Sequence, residues 1–107
     1  MLTNIIRVEK WSRSQQPTEE ALHQAMLAEG LTPHRWSNNP GDYYDIHQHP
    51  YHKVIYVVSG SITFGFPIEA DPTTLEAGDR LDLPAGIRHI AAVGPQGVVC
   101  LEAHQQP

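Results

Sequence analysis

With 107 residues, the chain has room for one domain built on a single modest core. Seven Lys and Arg stand against twelve Asp and Glu, a net charge of −5, and the cations are too scattered to form the basic stripe that a nucleic acid requires. No apolar run is long enough to span a bilayer, the start MLTNIIRVEKW lacks the pattern of an export signal, and a lone Cys100 excludes an intrachain disulfide, so a cytoplasmic protein is expected.

Residues 3–11, TNIIRVEKW, are rich in β-branched side chains and read as a short strand that adds to a sheet edge or reaches a second subunit. SRSQQP breaks the pattern. Pro17 or Thr18 then opens a helix, with Glu19 and Glu20 where the helix dipole favours anions. Leu22, Ala25, Met26 and Leu31 recur at helical spacing, and Gly30 is a natural stop. His23, on this helix, reads as a surface residue. His34-Arg35-Trp36 begins a strand, and Ser37 to Gly41 is a turn cluster.

The next twenty residues, GDYYDIHQHPYHKVIYVVSG, carry the densest chemistry. On an extended segment side chains alternate, so His47 and His49 face the same way and can share one metal ion. By the same parity His52 points opposite to Lys53, and it becomes a ligand only if the turn before it brings it round. Tyr43 and Tyr44 read first as wall-packing residues and second as phenols reaching a cavity. Val54–Val58 and Ile62–Phe66 are expected as two strands joined by a tight hairpin at Ser59-Gly60-Ser61. A brief strand at Thr73–Leu75 follows a polar loop. Leu81 and Leu83 alternate with Arg80 and Asp82, a half-buried strand, before the turn Pro84-Ala85-Gly86. His89 to Val93 leads away, Gly94 to Gly97 turns, and Val98 to Leu101 is a last apolar strand holding an inert Cys100. The tail from His104 to Pro107 is expected to fray. Eight to ten short strands with Gly/Pro turns and one helix describe an all-β sandwich or barrel.

The two histidine segments resemble the paired sequence motifs of the cupins, small β-barrels of the jelly-roll type. The first motif, G-x5-H-x-H-x3,4-E-x6-G, is met by Gly41, His47, His49 and Gly60, with Lys53 where the family has its carboxylate ligand. The second, G-x5-P-x-G-x2-H-x3-N, is met by Gly78, Pro84, Gly86 and His89, with Val93 where Asn is common. The resemblance implies an all-β fold, a single cupin-type jelly-roll barrel with one short N-terminal helix. Residues 1–40 would supply the N-terminal strand, helix and lead-in, and residues 41–103 the barrel motifs.

The resemblance also implies that His47, His49 and His89 converge in the barrel mouth, where three neutral imidazoles suit a divalent transition metal: Zn, Fe, Mn, Ni or Cu. A metal-free pocket that keeps the histidines is the competing expectation. Lys53 is the informative departure, because an ammonium a few ångströms from a cation costs at least a few kcal/mol at an effective dielectric of about 20. Three outcomes are open. Lys53 is neutral beside the metal, or swings away to an acid such as Asp45 or Glu102, or holds an anionic ligand jointly with the metal. Two functions follow: a small metalloprotein acting on or binding a small polar metabolite, or a non-catalytic ligand-binding or sensing module. The expected partners are a small-molecule ligand and a second copy of the chain in a homodimer, with no nucleic acid and no membrane.

Overall fold

The structure, a computed structural model, describes residues 5–107. Residues 3 and 4 of the expected first strand lie outside the described residues. The elements are β1 (Arg7–Glu9), α1 (Glu19–Ala28), β2 (His34–Asn38), β3 (Tyr43–His47), β4 (His52–Phe66), β5 (Ala70–Glu76), β6 (Arg80–Leu83) and β7 (His89–Gln105).

Two long antiparallel strands form the spine. β4 and β7 pair from His52↔Gln105 to Gly65↔Ile90. Around their first and last halves the order is β1-β6-β4-β7-β2, while β5 joins the far half of β4 and β3 the near half of β7. Every pairing is antiparallel. This is the cupin jelly-roll arrangement the sequence leads one to expect.

The expected hairpin at Ser59-Gly60-Ser61 is instead the bend of a continuous strand. The β4–β7 register shifts between Val57 and Ser59 and again between Gly60 and Ile62. Gly60 and Gly97 both have positive φ, 77° and 76°. A side chain on Gly60 would run into the carbonyl oxygen of Gly97, so the two backbones cross where only glycine fits. The GPQG segment is likewise a bend within β7, and Pro95 is tolerated because the ladder is already irregular there. Turn-type residues mark these two places correctly, but they kink long strands and do not reverse the chain.

The bends bring both halves onto one interior. Ile55, Val57, Ile62, Phe64, Leu75, Leu81, Ala91, Val93 and Cys100 form a contiguous apolar core. Burial pushes the Cys100 thiol up to about 12, so it is an inert packing residue. A second cluster sits on the outer face. Leu22, Met26 and Leu31 pack on Val54, Leu101 and Ala103. The two-sided apolarity of Val54–Val58 is thus answered within the chain by α1. Thr18 caps that helix, its hydroxyl accepting from Ala21 N at 3.1 Å, and Gly30 ends it at φ 78°.

The N-terminal segment is pinned by Asp79, which is 4% exposed. Its carboxylate accepts from Lys10 Nζ, Trp11 N and Glu76 N, each at 2.8 Å. Burial alone would raise its pKa, but these donors hold it below the ordinary value. Gly78, at φ 89°, leaves space that the Trp11 ring fills, since a Cβ there would stand 2.6 Å from the indole. At the other end of the helix, Arg80 bonds both Glu29 and Asp82. No helix among the described residues is long and apolar enough to cross a membrane.

Candidate metal centre

The two histidine motifs meet because β3 and β7 are neighbours. His47, the last residue of β3, pairs directly with His89, the first of β7. Cross-strand partners place their side chains on one face, and the two rings lie 4.2 Å apart. His49 follows just beyond the strand. Its carbonyl accepts from Gly86 N at 2.8 Å, tying the 48–51 loop to the Pro84–Gly86 turn that leads into His89. Gly86 takes φ 82° there. The His49 ring stands 4.9 Å from His47 and 5.3 Å from His89. One nitrogen from each of the three rings falls within 4.8 Å of the others.

Hydrogen bonds fix which nitrogen is free. His47 Nδ1 lies 2.7 Å from the Asp45 carbonyl and His89 Nδ1 2.9 Å from the Ile87 carbonyl. A carbonyl only accepts, so each Nδ1 carries the proton, and each neutral ring keeps a lone pair on Nε2. His49 Nδ1 is 3.2 Å from Tyr51 Oη, while its Nε2 is buried without a partner. A buried orphan nitrogen is costly unless something binds it. Burial, reinforced by Lys53 and the other two histidines, pushes His49 down to about 4. Burial also holds His89 below the ordinary histidine value. These are neutral rings offering lone pairs, which is the donor set a divalent transition ion takes.

The other residues singled out by the sequence take separate places. Lys53 lines the same small cavity as His47 and His89, about 30 Å³ in volume, with Trp36, Tyr44 and Phe64. It faces Glu102 at 3.6 Å, with both side chains largely buried, so Glu102 and not Asp45 is the acid beside it. His52 faces the other side of β4, as strand parity requires, and its Nδ1 accepts from Ala85 N at 2.9 Å. Tyr43 projects to solvent, 58% exposed, whereas Tyr44 borders the cavity and bonds Asn38. The Asp45 carboxylate is exposed and accepts from Ile46 N, so Asp45 serves His47 through its backbone only.

Three neighbours were not singled out as site residues. Glu102 receives Trp36 Nε1 at 3.0 Å and His104 Nε2 at 2.6 Å besides facing Lys53. Tyr51 lies between His49, at 5.1 Å, and His104, at 4.0 Å, and orients the former. His104 was expected to fray, yet it pairs with Lys53 in the β4–β7 ladder. The signal lay in the alternation of the last strand: Val98 and Cys100 point inward, and the same parity carries Glu102 and His104 into the mouth.

A cupin-domain family model matches residues 34–103, most of the chain. The chain belongs to the cupin family. Solved cupins and related barrels share its fold. An RmlC-like cupin from Shewanella frigidimarina is 23% identical over 72% of this chain and 67% of its own, with a TM-score of 0.60. A protein of the DUF861 family from Thermotoga maritima is 17% identical over 92% and 97%, with a TM-score of 0.60. The DMSP lyase DddQ from Ruegeria pomeroyi is 24% identical over 70% of this cupin but only 38% of the lyase, with a TM-score of 0.63. At these identities the likeness is one of fold. No curated protein matches the sequence. In this cupin, then, three histidines able to hold a metal ion sit at the family's motif positions, with a lysine–glutamate pair beside them.

Proposed function

We propose that this cupin binds one divalent transition metal through His47, His49 and His89 and uses it to bind or transform a small polar metabolite. The observation that carries the reading is the buried, unpartnered Nε2 of His49, set among two other imidazoles whose Nδ1 protons are already committed to carbonyls. The metal would supply a Lewis acid with open positions for a ligand. The chain's own residues do the rest. Asp45 and Ile87 carbonyls hold two tautomers, Tyr51 steadies the third ring, and Phe64 and Ile55 keep the cavity floor dry.

The test is elemental analysis of untagged protein after loading with Zn, Mn or Fe(II) and gel filtration. One ion per chain is expected. Each of His47→Ala, His49→Ala and His89→Ala should lose it, because two imidazoles make a weak site, while His23→Ala on the helix should keep it. Unchanged metal content in all three variants would place the site elsewhere.

A second reading is favoured by one observation, Lys53 in place of the family's carboxylate. It is a ligand-binding cupin whose pocket works without metal. Protein that takes up no metal under any of these conditions yet still binds a small ligand would decide for it.

A further inference from the structure

The replacement of a carboxylate by Lys53 alters the charge of the whole mouth. Imidazoles that ligate a metal bring no charge of their own, and Lys53 and Glu102 are of opposite charge. Glu102 is moreover occupied, with Trp36 Nε1 at 3.0 Å and His104 Nε2 at 2.6 Å on its two oxygens. It is not among the groups that converge with the triad, so it does not replace the missing ligand. An ion in the triad would keep its full positive charge. Lys53 adds a second feature. Its side chain is 14% exposed, and its ammonium stands 3.6 Å from Glu102, beyond hydrogen-bond distance. Its donors engage no protein acceptor within hydrogen-bond distance and are open to water or to a ligand. They border the cavity that holds His47 and His89.

We infer that Lys53 is half of an anion subsite, in which the carboxylate of a small organic acid lies between the Lys53 ammonium and the ion on the triad. The proposal rests on the metal reading above and names the ligand class for that site. A carboxylate offers two acceptor oxygens, one for the ammonium and one for the ion, in a cavity that Lys53 shares with His47 and His89. Glu102 has a positioning role, since its other two donors anchor it and it in turn keeps Lys53 at the cavity rim.

The protein has two tryptophans, and their indole N–H signals provide the assay. Trp36 bonds Glu102 beside the proposed subsite, whereas Trp11 bonds Gln15 at a distant loop and serves as the control. Acetate is titrated into Zn-loaded protein, whose metal content is measured first, and the two indole signals are followed by NMR. The expected result is a saturable shift of Trp36 alone, with chloride at equal ionic strength producing none. Lys53→Met should weaken acetate at least tenfold at equal metal content. Lys53→Met combined with Glu102→Gln removes both charges and should do the same, so a folding defect in the single variant leaves the test intact. Equal acetate affinity in these variants, or no saturable response in the loaded wild type, overturns the subsite. If the chain takes up no zinc, the metal reading fails by itself. The same titration on metal-free protein then judges the lysine: a saturable shift lost on Lys53→Met sustains an anion subsite, and no shift overturns it.

Discussion

Substituting Lys53 by Glu tests the charge arrangement of the mouth most directly. Lys53 and Glu102 face each other at 3.6 Å, with 14% and 13% of their side chains exposed. At an effective dielectric of about 20, unit charges at that distance attract by roughly 4–5 kcal/mol before desolvation is counted. Lys53→Glu turns this attraction into repulsion between two carboxylates. Part of the cost is relieved by protonation of one of them, and the Trp36 and His104 donors still serve Glu102. The net loss expected in metal-free protein is about 3 kcal/mol, within the range for breaking a buried pair. In a chain of this size that lowers Tm by roughly 10–20 °C. The same variant places a carboxylate where the cupin motif has its ligand. Zinc affinity should therefore rise at least tenfold, about 1.4 kcal/mol. The assay is thermal unfolding in excess chelator, followed by zinc titration against a competing chelator. Lys53→Glu should be the less stable protein without metal and the tighter binder with it. Adding Glu102→Gln, which removes the repulsion and keeps an acceptor for Trp36 Nε1, should restore part of the metal-free stability. An unchanged Tm in chelator would mean that the Lys53–Glu102 pair contributes nothing. Equal or weaker zinc affinity would mean that residue 53 does not reach the ion.

Other predictions follow from neighbouring contacts. Tyr51→Phe removes the hydroxyl beside His49 Nδ1 and should weaken metal binding about tenfold with little change in folding, read by the same competition titration. Gly60→Ala meets both a φ of 77° and the Gly97 carbonyl, and should cost at least about 3 kcal/mol in urea unfolding; a loss under 1 kcal/mol would show that the strand crossing can relax. His49, pushed down to about 4 by burial, stays neutral in the folded chain while an unfolded histidine protonates near 6.5. Its contribution is present above about pH 6.5 and is lost as pH falls towards 4. Metal-free protein should lose Tm across that window, and His49→Gln should flatten the slope.

Much of this was legible in the residues themselves. Glycine, proline and histidine spacings identify the barrel because each has a local cause: Gly78 and Gly86 adopt positive φ, Pro84 ends a strand, and His47 and His89 begin or end the strands that pair them. The alternation of a strand placed His52 away from Lys53 without any knowledge of the fold. Helix α1 was readable from its cap, its stripe and its terminating glycine, which are all local. What the sequence by itself could not determine is set by contacts between distant residues. Whether Gly60 reverses a chain or bends it depends on the pairing of β4 with β7, which sets it against Val98 and the carbonyl of Gly97, 37 positions away. The fate of His104 depends on a partner strand, since pairing with Lys53 orders a tail that its composition alone marks as loose. The acidic neighbour of Lys53 was set in the same way. Its local sequence left three outcomes open, and only the packing of β7 against β4 brings Glu102 to it, because a charge selects its partner by distance in space and not along the chain.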